Sequence, residues 1–255
     1  SEKAKEFGLA DSSYSTQSYF FDMDVDGDLD LFLLNHPFNI QQAKNVTLSY
    51  NAQGKMEYVK NKERQYVSYR YYENVNGKFT DKTMQTGLDN YAFGLSAIVD
   101  DFNNDGYPDI YTCNDYSVPD NLYINNRNGT FTDKIGDYFS HTTYNSMGSD
   151  YADINNDGYN DLIELDMMPE DNARQKRFKA QLSYDQFDKF IKYGLMAQYV
   201  KNVCQINNNG KSFSDVSYSA NMAFTDWSWA PLVADFDNDG YKDLFVTNGY
   251  MRDLV

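Results

Sequence analysis

The chain has 255 residues, with 22 Lys+Arg against 38 Asp+Glu and a formal net charge of −16 at pH 7. A surface this acidic repels phosphate backbones, which excludes nucleic acid as the expected partner. Aromatic residues make up 16% of the chain, too many for an acidic disordered one. Its longest apolar runs, such as LFLL at 31–34, fall far short of the roughly 18 residues of a membrane-spanning helix.

The opening SEKAKEFGLA has no apolar leader core, so any targeting segment is expected outside this sequence. A short apolar stretch (SYFFD) then leads into DMDVDGDLD at 22–30, followed at once by LFLLN. Residues 38–70 show little periodicity and many tyrosines, and read as an insertion. Residues 71–83 read as strand, Asn-Gly turn, strand, because Asn-Gly suits a turn that needs positive φ. The pattern returns as SAIVDD, DFNNDGYPD at 101–109, IYTCN, and a second hairpin at 122–135. It returns again as DINNDGYND at 153–161 with LIELD, and a third hairpin follows at 204–217. A last copy runs APLVAD, DFDNDGYKD at 235–243, LFVTN. Between the third loop and its hairpin, residues 166–200 break the β pattern. Pro169, Glu170 and Asp171 make a helix start, and Phe178, Leu182, Phe187, Phe190 and Ile191 follow helical spacing. Arg174, Lys176, Arg177 and Lys179 put a basic patch there, read either as a solvated helix face or as a docking element for an acidic partner.

The acidity is carried by 31 Asp against 7 Glu, beside 27 Asn, which places it in turns and loops and not on helix faces. All four loops read D-x-[DN]-x-D-G-x-x-D. Positions 1, 3 and 5 aim oxygen side chains into one cavity, the glycine at 6 permits a sharp turn, and position 9 returns a carboxylate. The candidate ligands are Asp22, Asp24, Asp26 and Asp30 with the Asp28 carbonyl, and Asp101, Asn103, Asp105 and Asp109 with that of Tyr107. The later loops offer Asp153, Asn155, Asp157 and Asp161 with the Tyr159 carbonyl, and Asp235, Asp237, Asp239 and Asp243 with that of Tyr241. An all-oxygen, carboxylate-rich flexible loop is what Ca²⁺ prefers, whereas zinc draws His or Cys. The loops are not EF-hands. Position 12, which should be Glu, is Leu33, Thr112, Glu164 and Val246, and the exits are strands. About four Ca²⁺ sites are therefore expected.

Strand–loop–strand plus a hairpin gives about four strands per repeat, the content of one propeller blade. The first loop aspartates are spaced 79, 52 and 82 residues apart, so the shortest repeat approximates a bare blade. The repeats fall at about 14–90, 91–140, 141–220 and 221–255. Cys113 and Cys204 read as two unpaired structural thiols. His36 and His141 lie in no nucleophile or zinc motif, and neither a G-x-S-x-G elbow nor a phosphate loop occurs. Nothing in the sequence marks a catalytic residue.

These loops between strands resemble FG-GAP/VCBS repeats, the calcium-binding blades of integrin-α-like β-propellers. The runs NLYINNRNGTFTD, SMGSDYADINNDGYNDLIELDMMPEDN and TDWSWAPLVADFDNDGYKDLFVTNGYMRD resemble a Bacteroidota group of large VCBS-repeat proteins. That group is related to the cartilage acidic protein (ASPIC/UnbV) family. Phe93-Gly94 is a literal FG pair, replaced in the later repeats by Met147-Gly148 and Trp229-Ala230. Five residues before each loop stand Gln17, Ser96, Gly148 and Ala230, three of them small, as an inner strand crowding a central channel would need.

The resemblance implies an all-β propeller of about four blades here, a segment of a longer chain with about seven blades in all, carrying a helical insertion at 166–200. It also implies that the loop positions named above are the metal ligands. The expected role is a non-enzymatic, calcium-stabilised module for protein or glycan binding, secreted or on the outer-membrane surface, in a surface assembly of the kind that holds SusC/SusD-like components. A calcium-dependent polysaccharide lyase and a purely structural spacer are the alternatives.

Overall fold

A computed structural model describes residues 2–36, 48–58, 69–90, 92–178 and 182–249. A one-turn helix α1 (Ala4–Phe7) precedes the first sheet. That sheet contains β1 (Tyr14–Phe21) and β2 (Asp30–His36). A small hairpin of β3 (Leu48–Tyr50) and β4 (Met56–Tyr58) stands apart, and β5 (Arg70–Val75) and β6 (Lys78–Asp81) complete the sheet in the order β1-β2-β5-β6. Helix α2 (Thr83–Thr86) leads to the second sheet, β7 (Phe93–Asp100), β8 (Asp109–Asp115), β9 (Asn121–Asn125) and β10 (Phe131–Asp133), again in sequence order. The third follows helix α3 (Ile135–Tyr138) and strand β11 (His141–Thr143). It consists of β12 (Ser149–Ala152), β13 (Asp161–Glu164), β15 (Val203–Asn207) and β16 (Phe213–Asp215). The fourth pairs β17 (Ser228–Ala234) with β18 (Asp243–Asn248). Every pairing inside these four sheets is antiparallel. The chain is all-β, and each acidic loop joins the first and second strands of its sheet.

The insertion holds two short helices, as its sequence predicts, but Phe178 and Leu182, placed on helical spacing by the sequence, lie outside both. Helix α4 (Asn172–Gln175) starts on Asp171, whose carboxylate accepts the Arg174 N–H, and α5 (Tyr184–Lys192) starts on a Ser183–Gln186 capping box. Neither helix has a buried residue, so both ride on the surface, while Met167, Met168 and Phe178 of the insertion are buried against Trp227. Strand β14 (Ala197–Tyr199) returns it to the body by parallel pairing with β11, an element no local pattern announced. The basic patch is partly consumed internally: Arg174 pairs with Asp226, with Nη1 2.5 Å from Oδ2 and Nη2 3.0 Å from Oδ1. Lys179 lies outside the described residues, as do most of residues 38–70 and the final residues 250–255.

The core lies between successive sheets. Phe32, Leu34, Tyr69 and Tyr71 of the first sheet's side meet Ala97, Ile110 and Tyr123 of the second. Phe102, Tyr111 and Leu122 meet Leu162 and Phe213 of the third. Phe102 stacks on Tyr151 at 4.2 Å between centroids, and Phe139 on Phe213 at 4.3 Å. Cys113 and Cys204 are free and buried in these interfaces, as expected of structural thiols. Among the described residues no helix is long and apolar enough to cross a membrane.

First strands carry a repeated irregularity. The register slips between Ser15 and Gln17, between Gly94 and Ser96, and between Ser228 and Ala230, each time six residues before the loop. Small residues there answer to close approach. A Cβ on Gly148 would sit 2.3 Å from the Trp229 carbonyl oxygen, and one on Gly94 would sit 2.6 Å from the Tyr69 ring. Replacing Gly148 by alanine drives a methyl group into backbone of the next sheet, an overpacking cost of about 1–3 kcal/mol. Gly136→Ala, which meets nothing within 4 Å, should leave stability unchanged or slightly raised. Thermal denaturation of the two variants measures the contrast.

Candidate metal centre

The four loops fold alike because each is held by the same backbone hydrogen bonds. The first aspartate receives two N–H groups with its two oxygens. Asp22 accepts from Asp26 and Gly27 at 3.0 and 2.9 Å, Asp101 from Asp105 and Gly106 at 2.9 and 2.6 Å. Asp153 accepts from Asp157 and Gly158 at 3.1 and 2.9 Å, Asp235 from Asp239 and Gly240 at 3.1 and 3.0 Å. Oδ1 of the fifth-position aspartates Asp26, Asp105, Asp157 and Asp239 accepts the N–H of Asp28, Tyr107, Tyr159 and Tyr241. The glycine at position 6 has φ between +89° and +97° in all four copies, a conformation that strains any other residue.

The ninth-position carboxylate does a second job. Oδ2 of Asp30, Asp109, Asp161 and Asp243 accepts the N–H of the second loop residue, at 3.0–3.2 Å. In the three complete sheets Oδ1 also accepts an N–H from the third strand, that of Asn74, Asn125 or Asn207, each at 2.8 Å. The carboxylate thereby ties loop to sheet, and Asp30, Asp109 and Asp161 are buried.

These loops are electrostatically unfinished. One carboxylate oxygen from each of Asp22, Asp24 and Asp26 lies within 4.8 Å of the others, and the same holds for Asp235, Asp237 and Asp239. Burial and the neighbouring Asp26, Asp30 and Asp22 push the Asp24 carboxyl up. Burial pushes Asp109 up to about 7 against two backbone N–H donors, with Asp105 and Asp101 adding to the rise, and it raises Asp30 and Asp161 as well. In the second loop the Asn103 Oδ1 is buried and has no hydrogen-bond partner. An orphaned acceptor among crowded carboxylates suits a divalent cation, and a set of oxygens on a flexible loop suits Ca²⁺. Of the twenty predicted ligands, the structure clusters the carboxylates of Asp22, Asp24 and Asp26 and of Asp235, Asp237 and Asp239, while both oxygens of Asp30, Asp109 and Asp161 accept backbone N–H groups.

Sequence reasoning missed a second polar cluster at His141. Its Nε2 lies 2.9 Å from Asp215 Oδ2, its Nδ1 3.0 Å from Ser140 Oγ, and Lys201 Nζ bonds the same Asp215 oxygen and Ser217 Oγ. Those contacts hold the Asp215 carboxyl far below its ordinary range despite burial. His141 and Asp215 are 74 residues apart and meet where β11 and β16 come together. His36 behaves differently: it stacks on Phe93 at 4.4 Å, its Nε2 is buried without a partner, and burial lowers its pKa.

Comparison with known proteins bears on the loops. Residues 101–163 and 195–246 match the family model described as FG-GAP-like repeat, and those stretches contain the second, third and fourth loops. The chain thus carries FG-GAP-like repeats there. No curated protein matches it in sequence. A solved lectin from Agrocybe aegerita, described for specific recognition of non-reducing terminal N-acetylglucosamine, is 14% identical, with a TM-score of 0.36. That likeness covers 90% of this chain and about 60% of the lectin's length.

Removing the ninth-position carboxylate should unfasten a sheet even without metal. Asp109→Ala orphans the Phe102 and Asn125 N–H groups, at about 1–3 kcal/mol each. Asp137→Ala loses only an exposed ion pair with Lys134, worth under about 1 kcal/mol. Urea denaturation in calcium-free buffer should separate the two; equal losses would refute the clamp.

Proposed function

We propose that this chain is a calcium-stabilised β-propeller segment of FG-GAP/VCBS type, a non-enzymatic module for protein or glycan binding outside the cytoplasm. The observation that carries the reading is the fourfold recurrence of one loop geometry whose crowded carboxylates, the Arg127-paired Asp105 apart, have no cationic partner among the described residues. Asp22, Asp24, Asp26 and Asp30 would hold the first ion, with the Asp28 carbonyl, and the matching residues of the other loops the rest. The ions' role is structural: they neutralise carboxylates that the fold has already desolvated.

Recognition is assigned to the insertion at 166–200, the largest departure from a bare repeat. It borders a cavity of about 470 Å³ lined by Leu182, Tyr184, Phe187, Gln198 and Tyr199. A neighbouring cavity of about 500 Å³ shares Tyr199 and adds Tyr218, Phe224 and His141. Tyr184 and Tyr218 are 80% and 67% exposed, faces on which a sugar ring or a partner's side chain can stack. The His141–Asp215 pair is the observation that favours a polysaccharide-processing enzyme instead, but both ring nitrogens are occupied and Lys201 shares the carboxylate. Turnover on a polysaccharide panel would favour that second reading.

The surface setting follows from affinity. Loops of this kind in extracellular modules fill at about 10⁻⁴–10⁻³ M calcium, far above cytosolic levels. An outer-membrane or secreted location in a Bacteroidota-type cell, among SusC/SusD-like components, is the proposal that accords with the repeat resemblance. Protease shaving of intact cells should remove the protein; fractionation with cytosol would sink the location.

Calcium should raise the melting temperature. At a concentration 100 times the Kd each independent site adds about 2.7 kcal/mol. Excess chelator should therefore lower the midpoint by many degrees, and magnesium should restore little of it. An unchanged melting curve would end the calcium reading.

A further inference from the structure

The second loop differs from the third in one neighbour. Both offer Asp, Asn, Asp and Asp at positions 1, 3, 5 and 9. Both are followed by a hairpin whose third-strand asparagine, Asn125 or Asn207, donates to the ninth-position carboxylate. Two residues further on, the backbone turns left-handed in every hairpin, with φ of +54° at Asn76, +58° at Arg127 and +56° at Asn209. Asparagine tolerates that conformation because its short side chain bonds locally; arginine has no such relief.

The Arg127 side chain shows what the position is used for. Its Nη2 lies 2.9 Å and its Nε 3.3 Å from Oδ2 of Asp105, and its guanidinium carbon lies 5.5 Å from the Tyr107 ring centroid. Asp105 is the fifth-position carboxylate, and its other oxygen is already occupied by the Tyr107 N–H. A fork of two donors thus covers the outward oxygen of a candidate ligand. The Arg127 side chain is half exposed, so it can swing into solvent. In the third loop the corresponding oxygen, Asp157 Oδ2, receives the neutral Asn155 amide at 3.0 Å.

Building on the calcium reading of the loops, we infer that Arg127 is a tethered competitor for Asp105, which makes the second loop the weakest of the four calcium sites. Calcium must either displace the guanidinium or bind beside its positive charge, and either route weakens the site. An exposed Arg–Asp pair of this kind corresponds to a penalty of up to about fivefold in affinity. The loops then fill in two stages as calcium rises, the second loop last.

Isothermal titration of the whole chain with calcium, alongside Arg127→Asn, tests this. The substitution installs the residue that the sibling hairpins carry and suits the left-handed turn, so folding is expected to survive. Tyrosine-sensitised terbium luminescence gives an independent count of sites, because Tyr107, Tyr159 and Tyr241 stand in three of the loops. The weakest wild-type site should be about fivefold weaker than the matched third-loop site, and Arg127→Asn should bring the two to equal strength. Arg127→Lys, which keeps the charge without the fork, should fall between. In an Asp101→Ala background the Arg127→Asn gain should vanish, which assigns it to the second loop. Four sites of unchanged strength in Arg127→Asn would overturn the role of Arg127 and leave the calcium reading intact. No binding in either protein would remove both.

Discussion

Each of the three four-stranded sheets hangs on a carboxylate that answers to two masters. The ninth loop residue closes the loop by accepting the N–H of the second, and it fixes the third strand by accepting the N–H of an asparagine. It is buried in the complete sheets, where an ionised carboxylate is costly unless well bonded or neutralised. Two N–H donors go part of the way; the rise of Asp109 toward neutrality shows what they leave undone. The rest of the architecture can be understood as an arrangement around that deficit. Apolar second-position residues, Met23 and Phe102, plug into the gaps between sheets while the acids beside them face the loop interior.

The legible part of the fold was the local part. The loops, the hairpin turns and the caps at Asp171 and Ser183 are set by residues within a few positions of one another, and the sequence displays them directly. What escaped was set across distance. The clamp joins Asp30 to Asn74 and Asp161 to Asn207, 44 and 46 residues apart, with insertions between them. The recurring asparagine carries no motif of its own beyond a hairpin signal. The parallel β11–β14 pair is likewise fixed by where a 50-residue excursion happens to return. His141 looked inert because its carboxylate lies 74 residues away. Of residues 38–70, only the β3–β4 hairpin and the positions next to β5 are described, and Tyr69 there belongs to the core.

The two ends of the sheets have opposite characters. At the loop end acids are numerous, partly wet and short of counter-charge. At the far end they are few, dry and fully engaged. Asp166 accepts from the N–H groups of Tyr144, Asn145 and Met167. Asp120 and Glu164 both lie within hydrogen-bond reach of the Tyr111 hydroxyl, whose one proton serves one of them at a time, and Ser146 and Thr143 hold one each. Burial, with Glu164 beside it, drives the Asp120 carboxyl strongly toward its protonated form. A proton eases the charge at one end; at the other the crowded carboxylates of Asp22, Asp24 and Asp26 keep theirs.

Asn125 touches more than its own loop. While its N–H serves Asp109, its side-chain amide donates to the Met23 carbonyl of the preceding loop at 2.9 Å. Gly210, in the next hairpin, abuts the Asn103 carbonyl, and Asn156 donates to Gly240 in the loop beyond. The described loops therefore form a row in which each touches its neighbour, the arrangement that statistical mechanics treats as a one-dimensional chain of coupled spins. Order in such a row has a correlation length. Disorder introduced at one loop fades over the next one or two.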